Sequence, residues 1–89
     1  MIAREEQFFN SMIGLKIRLR RKELKLTQTF VGQALNVTFQ QIQKYEKGTN
    51  SVSAKKVADL AKVLKTSVLY FYDVPTIQEE WGNDQSTSW

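Results

Sequence analysis

Four side chains within six positions, Phe39, Gln40, Gln41 and Lys44, carry complementary recognition chemistry. A Gln amide donates and accepts at once, which matches N6 and N7 of adenine. Lys44 can donate to O6 or N7 of guanine, and Phe39 can pack on thymine methyl groups. Thr38 precedes the run as a helix-start residue, so these side chains would lie in the first turns of one helix. Those turns meet base edges when a helix enters the major groove of DNA. Taken alone, a Gln-rich run equally suits an ordinary solvated helix face.

The charge distribution points the same way. The 89 residues carry a net charge of +4, but residues 11–72 hold twelve Lys or Arg against three acids, a net +9. Residues 73–89 hold four acids and no base. A compact basic region with an acidic tail suggests a polyanionic partner for the basic part. Lys16, Arg18, Arg20, Arg21, Lys22 and Lys25 lie on or just after the expected first helix, and Lys47 ends the third. Several of these can flank a duplex and neutralise phosphates, Arg18 and Lys47 among them. Gln28 sits at the positive end of the second helix, where side chain and backbone can both donate to a phosphate. Thr49 and Asn50 can do so from a loop, and the helix-start residues Thr27 and Thr38 are further candidates.

Other classes of function are disfavoured. The chain has no Cys and no His, which excludes disulfides, thiol nucleophiles and the usual thiolate or imidazole metal sites. No nucleophile–base arrangement is evident, so no enzymatic activity and no cofactor are expected. No run approaches the roughly 20 apolar residues that span a bilayer. Met1–Glu6 lacks the basic-then-apolar order of a secretory signal. A soluble cytoplasmic protein without a membrane partner is expected.

Five helices would position these side chains. Phe9, Ile13 and Ile17, extended by Leu24, predict a first helix over about 9–24. Thr27 caps a second over 28–35, with Val31, Ala34 and Leu35 inward and Asn36 in a left-handed cap. Thr38, which forms a capping box with Gln41, opens a third over 39–47 that stops at Gly48. Its inward residues are Ile42 and Tyr45, with Val37 before it. Gly32, one turn before the junction, offers a place for another helix to cross closely. Ser53 caps a fourth helix over 54–64, with Val57, Leu60, Ala61 and Leu64 inward. A short fifth is expected over about 67–72, with Pro75 closing the structured part. The expected fold is all-α. Residues 1–10 form an extension or the start of the first helix, 11–72 the domain and 73–89 an acidic tail.

In order and spacing, Ile13-Gly14-x-Lys16-Ile17-Arg18, Arg21, Leu26-Thr27-Gln28, Ala34-Leu35, Val37-Thr38, Ile42, Tyr45-Glu46, Gly48, Leu60-Ala61 and Leu64 resemble the Cro and phage-repressor type of helix-turn-helix family, also called the XRE family. The resemblance spans about residues 11–72 and implies a compact five-helix domain like that of lambda repressor. It implies that Gln28 clamps a phosphate, and that Phe39, Gln40 and Lys44 read bases, with Gln41 and Gln43 as additional contacts. Arg21 and Glu46 match a family ion pair. The family usually binds palindromic operators as a homodimer, which places Val68, Leu69, Tyr70, Phe71 and Tyr72 at the subunit interface, with Trp81 as a further anchor.

The chain departs from the family pattern at several points. Lys25 and Lys65 stand where Gly is common, which predicts strain or altered helix ends, and Asn36 replaces a third common Gly more gently. Arg20 replaces a common Leu, so its stem would cover the core while its charge reaches water. Ser51 stands where a phosphate-contacting Arg is frequent. The leading expectation is a transcriptional repressor of double-stranded DNA. The alternatives are an antitoxin whose tail covers a small toxin, and an interaction module that has lost DNA binding.

Overall fold

The computed structural model describes residues 4–73; Pro75, Trp81 and Trp89 lie outside them. Five helices follow in order: α1 (Arg4–Glu23), α2 (Gln28–Leu35), α3 (Phe39–Lys47), α4 (Ala54–Val63) and α5 (Val68–Tyr72). The expected N-caps are made by side chains. Thr27 accepts from the Phe30 amide, Thr38 from the Gln41 amide and Ser53 from the Lys56 amide. Each bond satisfies one amide that the first helical turn leaves without a partner.

Helix α1 starts at Arg4 rather than near residue 9. Glu5 and Glu6 occupy its first turn, where negative charge complements the helix dipole. These turns overhang the core, which is why Phe9, expected on the inward face, is 40 % exposed. Farther along, Ile13 and Ile17 are buried and join Val31, Leu35, Ile42, Tyr45, Val57, Leu60, Ala61, Leu64 and Phe71 in one cluster. Ala34 is exposed instead of inward, because the buried edge of α2 runs through Val31, Gly32 and Leu35.

Two glycines set the close approaches. A Cβ on Gly14 would collide with the Tyr45 carbonyl oxygen and lie 2.6 Å from that of Glu46, so α1 crosses the end of α3 at backbone contact. A Cβ on Gly32 would lie 2.8 Å from the Val37 carbonyl oxygen, so α2 presses on the turn that launches α3.

The three positions where Gly was expected all adopt left-handed backbone: Lys25 at φ 60°, Asn36 at φ 61° and Lys65 at φ 55°. Outside Gly and Asn this conformation costs roughly 1–2 kcal/mol per residue. Each of these turns receives a cation from elsewhere. Arg21 Nη1 donates to the Leu26 carbonyl at 2.9 Å, and Lys56 Nζ to that of Leu35 at 3.0 Å. Arg20 Nε and Nη2 donate to the carbonyls of Leu64 and Lys65 at 2.8 and 3.0 Å. Arg20 therefore does more than cover the core with its stem: its guanidinium caps the end of α4.

Helix α5 closes the domain against α1. Phe71 fills the core at 1 % exposure, which corrects its placement at a subunit interface: its ring is enclosed within its own chain. The Tyr70 hydroxyl donates to the Lys16 carbonyl at 3.4 Å, and Lys16 Nζ lies 4.8 Å from the Tyr70 ring centre. Burial raises the Tyr70 phenol above its ordinary 10.0; Glu23 adds to the rise and Arg20 opposes it.

Lys25→Gly and Lys65→Gly should each stabilise the domain by about 1 kcal/mol through relief of the left-handed conformation. In thermal melts this is roughly 4–8 °C apiece for a domain of this size. Gly14→Ala should lower the melting temperature, although helix propensity alone predicts a gain of about 1 kcal/mol.

Candidate nucleic-acid interface

Helix α3 is held from behind and open in front. Ile42 is fully buried and Tyr45 is 7 % exposed, which anchors the inner face. Gln40 and Lys44, one turn apart, are exposed, and Phe39 is 43 % exposed at the helix start. Gln41 and Gln43 flank that face half-buried. The end of α3 is fixed by Thr49, whose amide and hydroxyl both donate to the Lys44 carbonyl at 3.0 and 3.2 Å. The Thr49 hydroxyl proton is thus engaged within the chain. Asn50 beside it is exposed, as are Thr27, Thr38 and Lys47.

The expected pair Arg21–Glu46 is present and has a third member. Arg21 Nε donates to Glu46 Oε2 at 2.6 Å and Nη2 to Oε1 at 3.0 Å, with the Glu46 side chain 4 % exposed. Gln28 Nε2 also donates to Glu46 Oε1, at 3.1 Å. One amide hydrogen of Gln28 is therefore held inside the protein, which fixes the orientation of the other. Sequence reasoning missed this bond because Gln28 and Glu46 are eighteen positions apart and no local pattern joins them. Gln28, Glu46, Arg18, Gln43 and Lys47 line one cleft of about 360 Å³. Four of the side chains expected at bases or phosphates, from α1, α2 and α3, thus meet in one place. Lys47 also borders a second cleft, of about 330 Å³, with Thr49 and Gly48.

Electrostatics sharpens this surface. Glu23 pairs with Arg20, Glu46 with Arg21 and Asp59 with Lys55, so all three acids of residues 11–72 sit in ion pairs. None is left as an isolated negative charge to repel a polyanion. Arg18, Lys44 and Lys47 have no carboxylate partner among the ion pairs of the described residues. Those residues include no group of three or more His, Cys, Asp or Glu placed to hold a metal ion, and no helix long and apolar enough to cross a membrane.

Val68, Leu69 and Tyr72 are 42 %, 77 % and 44 % exposed on α5, and a hollow of about 390 Å³ is lined by Leu69, Tyr70, Tyr72 and Asp73. Trp81, the further anchor expected at a subunit interface, lies outside the described residues.

The profile of a family described as helix-turn-helix matches residues 17–71. An HTH-type transcriptional regulator of Sinorhizobium medicae is 46 % identical over 61 residues, which are 68 % of this chain and 44 % of that protein. This chain spans about half the length of the curated relatives it matches. The P22 c2 repressor, solved in complex with a synthetic operator, is similar with a TM-score of 0.63 at 30 % identity, covering 66 % of this chain and 89 % of that one. The clp gene regulator ClgR of Corynebacterium glutamicum shares the fold at a TM-score of 0.71 and 18 % identity, over 89 % and 88 % of the two chains.

Glu46→Ala should destabilise the domain by about 3–5 kcal/mol, because the nearly buried Arg21 loses its counter-charge. The double variant Arg21→Met with Glu46→Leu should recover most of that loss in urea denaturation, since it removes both charges. Equal instability of single and double variants would refute the ion-pair origin of the effect.

Proposed function

Since the chain belongs to the helix-turn-helix family of DNA-binding transcriptional regulators, we propose that it is a dimeric repressor that reads a two-fold operator with α3 in the major groove. The family is one of regulators, not of enzymes. The observation that carries the reading is the two-sided build of α3, with Gln40 and Lys44 outward and Ile42 and Tyr45 locked into the core.

In this reading Phe39, Gln40 and Lys44 meet base edges, with Gln41 and Gln43 as auxiliary contacts. The cleft of Arg18, Gln28, Gln43 and Lys47 receives a backbone phosphate. Two cations there supply salt-sensitive attraction, and the oriented Gln28 amide supplies direction. Thr27, Thr38 and Asn50 add contacts on either side, and Thr49 does so through its acceptor oxygen. The operator-bound P22 c2 repressor supports this placement by fold and by 30 % identity.

Two subunits are needed to read two half-sites about 34 Å apart. Val68, Leu69 and Tyr72 offer the exposed apolar surface for that pairing, and the partly buried Tyr70 steadies it from behind.

Gln40→Ala should relax preference at one base position by roughly 1–3 kcal/mol while non-specific binding holds. Lys47→Ala should weaken all sequences alike and lower the slope of log affinity against log salt by about 1. Equal loss of cognate and scrambled binding by Gln40→Ala would remove it from the reading surface. Leu69→Asp, at a site 77 % exposed, should leave the helical spectrum intact, yield monomers in sedimentation and reduce operator affinity. A dimer that survives this change would place the subunit interface elsewhere.

A further inference from the structure

The buried residues of α1 begin at Ile13, so the turns from Arg4 to Met12 are not explained by the core. Arg4, Gln7 and Ser11 recur at i, i+3 and i+7 and share one edge of these turns. Arg18, seven positions beyond Ser11, continues the same edge. That edge meets the end of α3. A Cβ on Gly48 would lie 2.7 Å from the Ser11 Cα, so the cap of α3 rests on the α1 backbone at that residue. Asn10 Nδ2 donates to Ser51 Oγ at 3.3 Å, which ties the overhanging turns to the loop between α3 and α4. Between these contacts lies the cleft of about 330 Å³ lined by Gln7, Asn10, Ser11, Lys47, Gly48 and Thr49.

We infer that this second cleft seats a DNA backbone phosphate, which makes the overhanging turns of α1 part of the DNA-binding surface. The seat presupposes α3 in the major groove, as proposed above. Lys47 Nζ supplies the charge, and it has no carboxylate partner among the ion pairs of the described residues. The Gln7 carboxamide and the Ser11 hydroxyl supply neutral donors from α1. One hydrogen of Asn10 Nδ2 is spent on Ser51, which fixes the plane in which the other can donate. One cation among amide and hydroxyl donors, with no carboxylate in the lining, is the chemistry that holds a phosphate oxygen.

Position selects a duplex over a free anion. Lys47 lines both this cleft and the one that holds Arg18 and Gln28. Arg18 and Ser11 lie about 10 Å apart along α1 at 1.5 Å per residue, so one sugar–phosphate strand can cross the first cleft, Lys47 and the second cleft in turn. A free phosphate would meet a single cation of the second cleft, whereas a duplex presents a dense row of charges to both clefts together. Glu5 and Glu6 are the acids of these turns. At about 100° per residue, neither shares the edge that carries Gln7 and Ser11.

A duplex selected by the protein from random sequence serves as the probe, with a scrambled duplex beside it. Gln7→Lys should raise the slope of log affinity against log salt by about 0.9. Gln7→Glu should weaken binding to both duplexes alike, by roughly fivefold to tenfold. Both variants should retain the far-ultraviolet helical signal. Neutral methylphosphonates placed singly along the selected duplex should reveal a phosphate whose loss weakens the unaltered protein but not Gln7→Ala or Asn10→Ala. Gln40→Ala tests the α3 reading separately. If it relaxes base preference while the folded variants at Gln7 and Asn10 behave as the unaltered protein at every phosphate, the second seat is overturned and the α3 reading stands. A chain that selects no sequence from the random pool overturns both.

Discussion

The structure turns on one nearly buried guanidinium. Arg21, 9 % exposed, reaches both oxygens of Glu46 and the Leu26 carbonyl, and Glu46 in turn receives Gln28. One node therefore joins α1, the turn after it, the start of α2 and the end of α3. A charge so placed tolerates little displacement, since any partner that moves away leaves a desolvated ion behind. The distance between Gln28, at the start of α2, and Lys47, at the end of α3, is fixed as a consequence. Gly14 makes the arrangement sterically feasible by letting α1 rest directly on the carbonyls of Tyr45 and Glu46. Packing and electrostatics converge on the same end of α3, which leaves its opposite end and outer face free for work.

The basic residues divide into two groups with different physics. Arg20, Arg21 and Lys56 donate to main-chain carbonyls at the left-handed turns, where they offset a backbone that Gly would adopt without strain. These are architectural cations, and the net charge of residues 11–72 overstates what is available to a polyanion. Arg18, Lys44 and Lys47 have no such duty among the described hydrogen bonds and lie on the side of α3 and its cleft. Position, more than total charge, is what makes this surface suited to a duplex, because phosphate attraction falls away within about 10 Å at ordinary salt.

Much of this was legible in the residues. Thr27, Thr38 and Ser53 marked three helix starts because a hydroxyl one residue ahead of a helix has a specific bond to make. Asn36 marked the turn between α2 and α3 because Asn tolerates positive φ. The pattern of Ile42 and Tyr45 against Gln40 and Lys44 separated the two faces of α3. What escaped were outcomes of tertiary geometry. Phe9 has helical spacing from Ile13 but lies on turns that extend past the core, and spacing carries no information about where a core ends. Phe71 was assigned to the subunit interface, and only the packing of α5 decides that its ring goes inward. The bond from Gln28 to Glu46 and the capping role of Arg20 join residues from different helices, a relation that no local pattern encodes.

The distribution of exposed apolar groups follows from the size of the domain. A chain this short has too little interior to enclose all of its large side chains. The surplus is not spread evenly. Leu15 and Leu19 line the outside of α1 and Val68, Leu69 and Tyr72 the outside of α5, while Phe30, 50 % exposed, is the exposed large apolar residue of α2. On α3, Phe39 is the exposed large apolar residue, at the turn where a thymine methyl group is the proposed contact. A surface that must slide over many wrong sequences cannot rely on apolar adhesion, because its non-specific binding is electrostatic and has to remain reversible. Apolar contact belongs instead where a partner is fixed, as in the proposed subunit contact on α5. Polar groups that have lost freedom to the core, as Gln28 has through Glu46, are the ones suited to the remaining face, since their ordering cost is met before DNA arrives.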